Sequence, residues 1–179
     1  MRMVAMLFLL LAGTALQSLF PAVSWLGYAN VPVLCAIVIY YSLFRGGVMM
    51  ILVALLAGIF QDSLTLIPLG YSSFGFAVGC LIIERQREVI ILQSPLTHMV
   101  LTAGMHAAVT ILLTVLLVQG NLIEWQPWWL LLKVPGAMLL GVITGPLVIA
   151  MARLLEEKLG LIEGSSDDEG AQRSYYGIG

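Results

Sequence analysis

Apolar runs follow one another along almost the whole chain, and few folds can hold them. In hydrocarbon every backbone N–H and C=O needs a partner inside the chain, which leaves α-helices or a closed β-barrel. Barrel strands alternate apolar and polar residues over about 10 positions. Residues 7–12 and 112–118 show no such alternation. The sequence therefore predicts an all-α, polytopic membrane protein. Charge agrees: 10% of the 179 residues are Asp, Glu, Lys or Arg, against roughly 25% in soluble domains. The net charge of -2 lies mostly in the last residues, and no basic patch points to nucleic acid.

Six spans are expected, at about residues 3–20, 30–44, 48–61, 69–83, 96–118 and 128–152. Together they make one six-helix bundle over residues 1–160, followed by a polar, disordered tail over 161–179. A signal peptide is the rival reading of the first run. Its length and the Gln17-Ser18-Leu19 neighbourhood favour a retained helix. The second span is short against the usual 20 residues or so. It must borrow Tyr28 and Ala29, sit where the protein is thin, or be partly re-entrant. Trp25 and Tyr28 suit a headgroup-level loop, as do Trp125, Trp128 and Trp129. In the sixth span Lys133 can snorkel outward, and Pro135 and Pro146 predict kinks.

Positive charge sets the expected orientation. Arg2, Arg45, Arg85, Arg87, Arg153, Lys158 and Arg173 fall on one side of six spans, and Lys133 alone falls toward the other. That bias places both termini in the cytoplasm.

The stretch joining the third and fourth spans carries the most information. Asp62 is the single charged residue between Arg45 and Glu84. It sits with Gln61 and Ser63 in what reads as a polar turn, completed by Pro68 and Gly70. A carboxylate at the hydrocarbon boundary is costly to leave alone. It either holds the turn or caps a helix end, or it meets a partner or ligand. Gly75 and Gly79 form a G-x-x-x-G pair that permits close helix approach, within the bundle or between subunits. His98 and His106 share one face of the fifth span. Hydrogen bonding or packing is their ordinary role, and a proton or ligand role is the alternative. Cys35 and Cys80 read as buried thiols. No metal-ligand cluster, cofactor motif or protease, hydrolase or nucleotide signature is legible. Two classes of function stay open: a non-catalytic scaffold, and a small-molecule-binding transporter subunit with a cavity lined by Gln61, Asp62 and Thr144.

The stretch GIFQDSLTLIPLG, with Gly58, Asp62, Ser63, Pro68, Leu69 and Gly70, resembles the MreD family of bacterial rod shape-determining inner-membrane proteins. Chain length, six spans, a charged loop after the fourth span and a short polar tail fit the same pattern. The resemblance extends over about residues 3–160. It implies a cytoplasmic-membrane protein of the rod complex, or elongasome, that supports lateral peptidoglycan synthesis without catalysis or cofactor. The implied partners are an MreC-like bitopic protein and, within the complex, MreB, RodA and its transpeptidase. It also implies a fold similar to the substrate-binding membrane subunits of energy-coupling-factor transporters. Carried over by position, Asp62 matches the family aspartate, and Pro68, Leu69 and Gly70 the turn after it. Many members have an asparagine in the last span where this chain has Thr144. Thr144 can hydrogen-bond there but offers no amide.

Overall fold

The computed structural model describes residues 2–20, 30–45, 47–65, 67–86, 95–123 and 127–160. The loop tryptophan Trp25, Tyr28, Arg87, Trp125 and the tail lie outside these. The described residues form an all-α six-helix bundle: α1 (Arg2–Leu19), α2 (Val33–Phe44), α3 (Gly47–Thr65), α4 (Tyr71–Gln86), α5 (Pro95–Gln119) and α6 (Pro127–Lys158). Three stretches are long and apolar enough to cross a membrane: Gly47–Thr65, Leu96–Gln119 and Leu130–Lys158. Large apolar side chains cover their outer surfaces, among them Leu55, Ile111, Ile143 and Leu147. This is the inside-out pattern of a multi-pass membrane protein.

The short second helix is the centre of the bundle. Its 12 residues span only about 18 Å at 1.5 Å per residue, well short of a bilayer core. Every residue from Val33 to Leu43 is buried, and α2 touches all five other helices. A helix wrapped by protein on all sides need not match the lipid thickness, which is why this short span is tolerated. Two hairpins, α3–α4 and α5–α6, make the most extensive pairings and flank it, with α1 closing the remaining side.

Close backbone approach explains several glycines. A Cβ on Gly58 would overlap the Ser73 backbone, so α3 and α4 cross there in direct contact. The Ser73 hydroxyl donates to the Leu55 carbonyl at 2.9 Å across the same crossing. On the other hairpin, a Cβ on Gly141 would lie 2.9 Å from the Ala103 Cα, and one on Gly145 would overlap Thr102. Small residues at such crossings let helices associate in lipid, where no hydrophobic force drives them together. α6 remains helical through Pro135 and Pro146. It is about 48 Å long at 1.5 Å per residue, so its last turns extend beyond the hydrocarbon.

One boundary differs from the sequence expectation. Gln61, Asp62 and Ser63 are not a turn: α3 continues through them to Thr65. The Ser63 and Thr65 hydroxyls donate to the Ile59 and Gln61 carbonyls four residues back, both at 2.8 Å. Bonding to its own helix lets a polar run stay helical at an apolar boundary. The turn begins later and contains Pro68, Leu69 and Gly70, with Gly70 at φ +105°.

Candidate functional site

Three helices of the bundle receive their N-terminal cap from another helix. Asp62, fully buried in the last turn of α3, points at the start of α4. Its carboxylate accepts the Gly70 N–H at 2.7 Å and the Ser72 N–H at 3.0 Å. At the opposite end of the same hairpin the Glu84 carboxylate of α4 accepts the Gly47 N–H that opens α3, at 3.1 Å. The two carboxylates thus clasp the hairpin reciprocally, each at the positive end of its neighbour's dipole. Gln17 of α1 does the same for α2: its side-chain oxygen accepts the Leu34 N–H at 3.2 Å. Its amide nitrogen donates to the Gln61 Oε1 at 2.7 Å, tying α1 to α3. Of the two roles open to Asp62, the geometry displays the cap.

Beside Gln61 the bundle opens. A cavity of about 360 Å³ lies among α2, α3, α4, α5 and α6, at the end of the molecule away from Arg45. Gln61, Thr65, His106 and Lys133 supply polar lining, and Phe76, Val109 and Leu113 supply apolar wall. The His106 Nε2 lies 3.2 Å from the Asn30 carbonyl, which fixes the ring at the cavity edge. Asp62 and Thr144 are not among its lining residues. The Thr144 hydroxyl instead donates to the Leu140 carbonyl of its own helix at 2.7 Å. The transport-type constellation expected from sequence is therefore present only in its Gln61 part. The two histidines do not converge either. His98 packs edge-on against Phe44, with ring centroids 6.3 Å apart. It thus sits at the other end of α2 from His106. Among the described residues no group of His, Cys, Asp or Glu could hold a metal ion.

Gly75 and Gly79 face α5. A Cβ on Gly75 would meet Val109 and Leu112 at ordinary contact distance, and one on Gly79 would press on the flexible Met105 side chain. They line an apolar groove of about 260 Å³ between α4 and α5. Gly104 and Ala108, one turn apart on α5, form its other lip and are exposed. A Cβ on Gly104 would meet nothing within 4 Å. The groove thus combines two small-x-x-x-small pairs: Gly75 and Gly79 packed against α5 side chains, and Gly104 and Ala108 on the exposed lip, with open space in front of Gly104.

At the Arg45 end lies a polar cluster that sequence reasoning missed. Glu156 of α6 is 2% exposed. Its carboxylate accepts from the Tyr40 and Tyr41 hydroxyls, both at 2.9 Å, and from Arg45 at 2.7 Å. Ser42, in the same turn, bonds the Cys80 sulfur at 3.0 Å. The three bonds to Glu156 join the C-terminal end of the central helix to α6, and the Ser42–Cys80 bond joins it to α4. A pair of tyrosines inside an apolar run was the available signal, because a buried phenol seeks a partner for its hydroxyl.

Comparison with known proteins returns nothing: no protein-family model, no curated protein and no solved structure matches this chain.

Proposed function

We propose that the protein is a non-catalytic membrane scaffold of the bacterial rod complex. It would support lateral peptidoglycan synthesis by docking the transmembrane helix of an MreC-like bitopic protein. MreB, RodA and its transpeptidase would then be partners within the assembly. The observation that carries this reading is the α4–α5 groove, with Gly75 and Gly79 on one lip and Gly104 and Ala108 on the other. Helices approach most closely over small residues, and the apolar lining suits a single-span partner in lipid. The GIFQDSLTLIPLG resemblance supplies the identity of the complex. In this reading Asp62 holds the hairpin that carries the groove, and the protein lies in the cytoplasmic membrane with both termini inside.

The cavity beside Gln61 favours a second reading, a small-molecule-binding subunit of a transporter. Gentle-detergent pull-down of the tagged protein from its own membranes separates the two. Recovery of an MreC-like coiled-coil protein with cell-wall synthases supports the scaffold. Recovery of an ATPase module without them refutes it in favour of transport.

A further inference from the structure

The cavity beside Gln61 has a chemical asymmetry of its own, and it does not depend on the scaffold reading. Among the described residues Lys133 is the one charged side chain in its lining. It is half-buried, and no described residue pairs with it. Asp62, next to Gln61 but outside the lining, is committed to the Gly70 and Ser72 N–H groups. A cation drawn out of water without a counter-charge is unfavourable, and an anion entering the same space relieves that cost. A donor stands on α3, another helix of the lining. Gln61 uses its Oε1 to accept from Gln17, which leaves its amide nitrogen without a partner among the described residues. Between these polar points the wall is Phe76, Val109 and Leu113. Its volume of about 360 Å³ lies within the roughly 300–1,000 Å³ range of small-ligand sites.

We propose that this cavity binds an amphiphilic anion, a phosphate or carboxylate on an apolar body, with Lys133 pairing the anionic group and Gln61 donating to it. Phe76, Val109 and Leu113 hold the apolar body. An anionic lipid headgroup and a free amphiphilic acid share this chemistry.

The test uses the full chain in phosphatidylcholine nanodiscs, with octyl phosphate and octanol as a matched pair. The readout is the thermal unfolding midpoint from tryptophan fluorescence. Near saturation octyl phosphate raises the midpoint by about 5–10 °C, while octanol leaves it in place. Lys133→Met abolishes the shift and Lys133→Arg keeps it. Thr114→Trp, which fills the cavity from a half-buried position on α5, also abolishes it with Lys133 intact. Equal effects of octyl phosphate and octanol, or an undiminished shift in Lys133→Met, overturn the proposal. Repeating the titration in phosphatidylglycerol nanodiscs identifies the source. A shift lost there means that the lipid already occupies the site, and a shift retained means that a free amphiphile does. Both results uphold an anion site.

Discussion

Replacing Asp62 by alanine removes the cap of α4 and leaves two donors behind. Ser72 is fully buried, so its N–H loses its partner with no water to replace it, at about 1–3 kcal/mol. Gly70 is exposed, so its N–H is rehydrated and the loss there is that of an ordinary N-cap, about 1 kcal/mol. Together Asp62→Ala costs about 2–4 kcal/mol. Asp62→Asn keeps one side-chain oxygen for one of the two donors and costs roughly half as much. The assay is reversible unfolding of the purified chain in mixed micelles, with hydrogen exchange followed at residues 70–74. Exchange there should accelerate in Asp62→Ala before the rest of α4 responds, because the cap is local. If Asp62→Ala unfolds within about 0.5 kcal/mol of wild type and exchange at residues 70–74 is unchanged, the clasp is not what Asp62 does. Loss of partner binding in that same stable variant would assign it a contact role instead.

Other perturbations follow from the same geometry. Glu156→Ala strips Tyr40, Tyr41 and Arg45 of their common acceptor and destabilises by about 3–5 kcal/mol in the same unfolding assay. Combining Glu156→Leu with Tyr40→Phe, Tyr41→Phe and Arg45→Met recovers most of that loss, because no buried polar group is then left unpaired. Gly58→Ala forces α3 away from the Ser73 backbone and sharply lowers the folded yield from membranes. Gly104→Ala, which points into open space, folds as wild type. Glu84→Ala removes only the exposed cap at Gly47 and costs less than about 1 kcal/mol by the same measure.

How much was legible in the sequence varies by element. The six helices follow from the apolar runs, and the bundle follows from the demand that each backbone group be satisfied in lipid. The end of α3 was not legible. Gln61-Asp62-Ser63 reads as a turn by composition, and nothing local reveals that Ser63 and Thr65 bond back to their own helix. The need for a partner at Asp62 was legible, but its identity was not. The acceptor meets the backbone of Gly70 and Ser72, which has no side-chain signature. Glu156 was hidden for another reason. It sits in a charged helix end that reads as solvated, and its partners lie 111 to 116 positions away. The cavity shows the converse. Gln61 was singled out and does line it, while Lys133 was read as a snorkelling residue and His106 as a hydrogen-bonding or packing one, with a ligand role as the alternative. Only the three-dimensional arrangement places them around one space.

The central claim is that the α4–α5 groove seats a partner helix. It is tested most directly by photocrosslinking in intact cells. A benzophenone amino acid is placed at Gly104 in the groove and, as a control, at Leu147 on the exposed face of α6. The account predicts that Gly104 captures one bitopic protein with a large extracytoplasmic coiled coil, and that Leu147 does not. Capture of lipid alone at both positions, or of the same proteins at both, would contradict it.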